Sequence, residues 1–222
     1  MAGSTPEALL QMIVGDPFEA TTAAALEKHV ASQLSSGTYD FFANKALMKN
    51  YQSTSASTSS KLDVLTDILT LSLMRLPSTD YLALSYLLPG KITDCPKLTL
   101  IQKYAEFIEK AQYKQFWEEY ATSKESFSSA KGFESALRAC ILTNLSLTFR
   151  SVETATLAPM LGLQGDELKT FLSSSPLVES ANETNVKFTA NEENQPGGGQ
   201  GGQVTTSAVD VIRKKLEAVS GI

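Results

Sequence analysis

The apolar positions fall at helical spacing over most of the chain, broken at intervals of about one helix by Pro, Gly and Ser/Thr. Asp16-Pro17-Phe18-Glu19 reads as a helix start, with Asp16 able to cap, Pro17 in the first turn and Glu19 able to reach back. That helix runs through Leu26 and Val30 to about Leu34 and stops at Ser35-Ser36-Gly37. A second runs from Asp40 through Leu47 and Tyr51, and residues 53 to 60 form a polar loop. Leu62 to Leu76 is helical until Pro77, and Tyr81 to Leu88 until Pro89-Gly90. Pro96 opens a long helix to about Ala111, and Phe116-Trp117 lies on the next. On the Leu62–Leu76 helix, Leu62, Leu65, Leu69, Leu73 and Leu76 line one side, and Val64, Ile68 and Leu71 line another. A stripe that wide must be covered on both sides. Stacked helix pairs of HEAT type provide such cover better than an open four-helix bundle, although no exact sequence repeat is present.

Near residue 130 the pattern changes. Gly132-Phe133 begins a helix to about Phe149, with Phe133, Leu137, Cys140, Ile141 and Leu145 on its apolar side. Then come Ser151-Val152-Glu153, a short helix with Leu157 and Leu161 ending at Gly162, and a second from Asp166 to Leu172. Val178-Glu179 and Val186-Lys187-Phe188 flank Ala181 to Thr184 as a hairpin. Helix, short strand, helix, helix, hairpin is the order of a winged helix. The alternative, three helices and a disordered tail, fits less well because Val186 and Phe188 alternate as a strand should. Residues 191–204, NEENQPGGGQGGQV, have linker composition. A last helix, Thr205 to Val219, carries Val209, Ile212, Leu216 and Val219 on one seam. Some fifteen residues is marginal for an isolated helix, so the seam needs a partner.

The expected fold is therefore mostly α: a HEAT-like helical domain over 1–129, a winged helix over 130–190, a linker over 191–204 and an interaction helix over 205–222. Composition narrows the function. The 222 residues are 42% hydrophobic, ample for a core, and 19 Lys and Arg against 24 Asp and Glu leave a net charge of −5. That speaks against coating nucleic acid or an anionic membrane. Two cysteines, Cys95 and Cys140, exclude a disulfide scaffold and a cysteine-based zinc site, and fit a reduced intracellular chain. The apolar run from Leu9 to Val14 lacks a preceding Lys or Arg and is interrupted at Gly15-Asp16, unlike a signal or transit peptide. No stretch approaches the ~20 apolar residues of a membrane helix.

Candidate chemistry is sparse. His29 is the only histidine, which argues against a catalytic triad or a histidine metal site. Gly197 to Gly202 matches G-x-G-x-x-G, but no strand precedes it and no P-loop lysine follows. Glu118-Glu119 are adjacent on a helix and do not face each other. Trp117 beside Phe116 fits a core better than a base-stacking platform. From Ser151 to Thr189 two lysines, Lys169 and Lys187, stand against five acidic residues, leaving −3, and the helix that would enter a DNA groove begins Asp166-Glu167. The winged helix is thus expected to dock protein through its hairpin, with Val186 and Phe188 as candidate docking residues. Arg213, Lys214 and Lys215 form the only compact cationic site, a candidate RNA contact or a solvated face.

The chain resembles the k-subunit family of the third eukaryotic translation initiation factor over nearly all of residues 16 to 190. The resemblance is carried in order by Asp16-Pro17, Ala25-Leu26-Glu27-Lys28, Tyr39-Asp40-Phe41-Phe42-Ala43-Asn44 and Leu76-Pro77-Ser78-Thr79-Asp80-Tyr81. Phe116-Trp117, Gly132-Phe133-Glu134, the Leu157-Ala158-Pro159-Met160-Leu161-Gly162 segment and Glu167-Leu168-Lys169 complete it. It implies the PCI-type fold of a HEAT-like domain followed by a winged helix. It also implies a non-enzymatic, cytoplasmic scaffold subunit with no cofactor, acting on the small ribosomal subunit through its complex. Implied partners are the l subunit first, then the e and c subunits, with winged helices docked edge to edge and the last helix in a shared bundle. Two departures stand out: Pro159 inside the first short helix, expected to shorten or kink it, and the glycine run at 197–202. Subunits of the proteasome lid and the signalosome share the architecture, so a scaffold role in either is the first rival. A nucleic-acid-binding winged-helix regulator is the second.

Overall fold

The structure, a computed structural model, describes residues 6–53, 59–88 and 95–195. The linker from residue 196 and the helix expected over 205–222, with Val209, Ile212, Leu216, Val219 and Arg213 to Lys215, lie outside the described residues. Ten α-helices and three strands are described: α1 (Pro6–Gly15), α2 (Ala20–Ser36), α3 (Phe41–Ser53), α4 (Ser59–Leu73), α5 (Asp80–Ser85), α6 (Pro96–Glu109), α7 (Tyr113–Ser123), α8 (Phe133–Thr148), β1 (Ser151–Glu153), α9 (Thr154–Leu161), α10 (Gly165–Ser174), β2 (Val178–Ala181) and β3 (Asn185–Phe188). The chain is mostly helical, and no helix among the described residues is long and apolar enough to cross a membrane.

The central element is α4. All six residues from Ile68 to Leu73 are buried, and the helix packs against α2, α3, α5 and α6. This is the double-sided cover that its apolar stripes require. Three of its buried positions are hydroxyl residues. Each donates to a carbonyl of its own helix: Thr66 to Asp63 (2.8 Å), Thr70 to Thr66 (2.7 Å) and Ser72 to Leu69 (2.8 Å). No polar atom is thereby left to penalise burial. Between α2 and α3 a buried amide pair replaces apolar packing. Gln33 and Asn44 exchange bonds of 2.9 and 3.1 Å, and the Gln33 carbonyl oxygen also accepts from the Asp40 backbone N–H at 2.8 Å. Asp40 in turn accepts from the Ala43 N–H at 3.0 Å and so caps α3, which begins one residue after it.

Several boundaries differ from expectation. Pro6–Gly15 is a helix of its own, buried through Leu9, where the sequence suggested only an interrupted apolar run. Asp16 does not cap α2: its carboxylate accepts from the Phe18 N–H at 2.9 Å, closing a turn. The helix begins at Ala20, after an extended Glu19 that makes no side-chain cap. The far end behaves as predicted, with Gly37 at φ 73° donating its N–H to Gln33. On α4 the helical bonds stop at Leu73, three residues before the expected end, and turns lead to Pro77.

From α8 onward the order is helix, strand, helix, helix, strand, strand, and the antiparallel sheet runs β1-β3-β2. This is winged-helix topology. Pro159 lies inside α9, which continues through it to Leu161; the end is set by Gly162 at φ 60°, whose N–H and that of Leu163 both turn back to the Ala158 carbonyl. One sequence-derived assignment is corrected here. Val186 and Phe188 lie on β3, the middle strand, and both are fully buried. The strand alternation that identified them is the inward half of the pleat, so they hold the hairpin to the protein's own core and cannot meet a partner.

Candidate docking surfaces

One link between the helical array and the winged helix is a single aromatic side chain that meets the end of α9. Trp117, on α7, donates its indole N–H to the Met160 carbonyl at 2.9 Å, near the end of α9. Gly162 lies directly beneath the indole: a Cβ there would stand 2.8 Å from Trp117 Cδ2, and its φ of +60° already disfavours any L side chain. Arg138, on α8, covers the indole with its guanidinium carbon 4.8 Å from the ring centroid, and donates to the Leu161 carbonyl at 3.1 Å. Two of the orphan carbonyls at the end of α9, those of Met160 and Leu161, thus receive donors from outside the helix.

Glu134 anchors Arg138 in turn. Its carboxylate lies 2.6 Å from Lys124 Nζ and 3.2 Å from Arg138 Nη2, and accepts from the Tyr120 hydroxyl at 3.3 Å. These contacts, led by the hydrogen bond from Lys124, hold the Glu134 carboxyl below the usual glutamate range. Behind it Tyr104, Phe116, Tyr120, Phe127 and Phe133 form a continuous aromatic cluster, with Phe127 and Phe133 stacked at 4.8 Å.

The sheet leaves two open edges, β1 and β2. On β2, Val178 pairs with Phe188 and Ser180 with Lys187, so Glu179 is the extra residue of a bulge. Its carboxylate takes Arg150 at 2.6 Å and Lys187 at 2.7 Å. A bulged, charged edge resists indiscriminate pairing. Beside β2, between it and α9 and α10, lies a cleft of about 1080 Å³ with Ala158, Leu168, Leu172 and Val178 on its walls.

Charge on this face is settled locally. Lys187 is engaged by Glu179, Lys169 lies 3.8 Å from Asp166, and Asp166 and Glu167 stand exposed in the first turn of α10. Phosphates approaching that turn would meet carboxylates. Elsewhere His29 faces Asp40 at 3.3 Å, Phe116 is core and Trp117 is half-buried. Both cysteines are free thiols, and burial pushes that of Cys140 up to about 11. No group of three or more His, Cys, Asp or Glu residues among the described residues could hold a metal ion. The Trp117–Gly162 joint was not visible in the sequence: both residues stood in the motif order, but nothing in a linear pattern pairs positions 45 apart.

A family model described as the CSN8/PSMD8/EIF3K family matches residues 59–196, more than half of the chain and all of α4 through β3. The chain is similar to eukaryotic translation initiation factor 3 subunit K of Sclerotinia sclerotiorum, at 28% identity over 87% of this chain and 90% of that protein. It is also similar to the proteins of the same name from Dictyostelium discoideum, at 29% over 69% and 61%, and Drosophila erecta, at 32% over 62% and 61%. The chain belongs to the CSN8/PSMD8/EIF3K family.

Two outcomes are expected of the joint. Gly162→Ala lowers stability by at least about 2 kcal/mol more than Gly37→Ala in urea unfolding, because both strain φ but only Gly162 has a ring against it; equal losses would show that the indole yields. For Glu134, a depressed folded-state pKa means stability present above the ordinary glutamate value and lost as pH falls through the folded value. Glu134→Gln should therefore be less stable than wild type at pH 7, and the gap should close on acidification. A gap that stays constant with pH would rule out the ionic contribution.

Proposed function

We propose that this member of the CSN8/PSMD8/EIF3K family is a non-catalytic scaffold subunit of the third eukaryotic translation initiation factor. It supports assembly of the initiation complex on the small ribosomal subunit by protein–protein contacts. The observation that carries this reading is the likeness, over most of the chain, to proteins named as subunit K of that factor in a fungus, an amoeba and an insect. The charge between Ser151 and Thr189 agrees with it, since both lysines there have carboxylates nearby and the first turn of α10 is acidic.

In this reading the chain divides into a HEAT-like array over 1–129, a winged helix over 130–190, a linker over 191–204 whose first residues Asn191 and Asn194 are bonded back to the Ser146 carbonyl, and an interaction helix over 205–222. With β3 internal, the edge-to-edge contact with another winged helix falls to β1 or β2. The last helix enters a bundle of helices from other subunits through Val209, Ile212, Leu216 and Val219, with Arg213, Lys214 and Lys215 on its outer side as the candidate RNA contact. The l subunit is the first partner, followed by e and c, and the site of action is cytoplasmic. The rival reading, a subunit of the proteasome lid or the signalosome, has the breadth of the family description in its favour.

Purification of the tagged full-length chain from a eukaryotic lysate separates the two. Initiation-factor subunits are expected in the eluate, and Ile212→Asp with Leu216→Asp should reduce their recovery about tenfold or more. Recovery of lid or signalosome subunits instead would overturn the assignment, and unchanged recovery with the double variant would remove the last helix from the interface.

A further inference from the structure

Helix α1, the first element of the described array, is apolar on more than the side it buries. Leu9 is buried and Ile13 half-buried where α1 packs against α2 and α3. One residue on, about 100° round the helix, Leu10 and Val14 form a second row one turn apart, and they are 58% and 77% exposed. Just past the helix end Phe18 is 56% exposed, in the turn that the Asp16 carboxylate closes. A single exposed apolar residue needs no explanation. Three large ones within nine residues, on the first helix of a stack, do: the terminal units of helical arrays ordinarily turn a polar face outward.

Charge around the row has one sign. Glu7 is exposed one turn before Leu10 on the same side of the helix, and Asp16 and Glu19 are exposed on either side of Phe18 in the sequence. None of the three makes an ion pair among the described residues. The sequence holds no Lys or Arg before Lys28. Pairing of two such faces from two copies of this chain would set carboxylate against carboxylate. A helix with an apolar seam bordered by Lys and Arg would instead cover the row and meet the carboxylates with opposite charge.

We propose that the Leu10–Val14–Phe18 face is a docking surface for an amphipathic, basic-flanked helix of another protein. The incoming seam packs on Leu10 and Val14 and extends the array by one helix, Phe18 closes the end of the contact, and the flanking cations reach Glu7, Asp16 and Glu19. This surface is separate from the sheet edges and the last helix assigned above, and it does not depend on which assembly the chain joins.

Binding of a defined peptide to the purified full-length chain tests it. The probe is a fluorescently labelled helix of about 18 residues, with Leu at alternating three- and four-residue spacing and Lys on both flanks of that seam. A second peptide carries Glu in place of every Lys. Anisotropy titrations are expected to show saturable binding of the Lys peptide, at least about tenfold tighter than that of the Glu peptide. Leu10→Gln with Val14→Gln and Phe18→Ser should weaken the Lys peptide about tenfold or more while leaving the far-UV circular dichroism unchanged. Glu7→Lys with Glu19→Lys should reverse the preference between the two peptides. Absence of saturable binding, equal affinity for both peptides, or binding that survives the apolar variant would each overturn the proposal. A sedimentation mass that doubles with concentration in wild type and not in the apolar variant would assign the face to a second copy and overturn it too.

Discussion

The contact between Trp117 and the end of α9 sets the relation between the two halves of the described structure. An indole inserted at this point needs a place to sit, a partner for its N–H and a cover for its face. Gly162 supplies the first by lacking a Cβ, the Met160 carbonyl supplies the second and Arg138 the third. Gly162 contributes a second time: its left-handed φ ends α9 and leaves the carbonyls of Met160 and Leu161 free for Trp117 and Arg138.

With the joint fixed, the remaining polar groups follow a consistent pattern. The polar side chains buried in the array include hydroxyls bonded to their own helix, the Gln33–Asn44 pair and Asn50, which donates to the Pro17 carbonyl. On the winged helix the charged groups meet one another instead of facing outward as a basic surface. Left open are the two sheet edges, β1 and β2, and clefts that include one beside β2 and one beside α8. Those are features for binding other polypeptide, which is the role proposed for the chain.

The sequence disclosed these features unevenly. The α4 stripes, the Gly37 and Gly132 boundaries and the strand alternation at Val186 and Phe188 are local periodicities, and each was legible. Alternation identifies a strand but not which side of it is buried, and here the apolar side faces inward. Helix α1 was missed because a ten-residue segment closed by Gly15 carries little periodic signal, and its burial depends on α2 and α3. Asp16 reads as a cap in the sequence, but α2 begins only at Ala20 after an extended Glu19, and the Asp16 carboxylate closes a turn instead. The joint lay beyond any linear reading, since the indole, the guanidinium and the glycine come from three separate elements. The resemblance recorded the Trp117 and Gly162 stretches, though not Arg138, without showing that they touch.

If Trp117 binds the array and the winged helix into one cooperative body, they must unfold together. Trp117 is the only tryptophan, so its fluorescence reports the joint directly, while far-UV circular dichroism reports the helices of the whole chain. Urea unfolding of the full-length protein followed by both signals should give a single transition with the same midpoint. A fluorescence change completed at lower urea than the loss of helicity would show that the joint opens while the array stays folded, and would contradict the account.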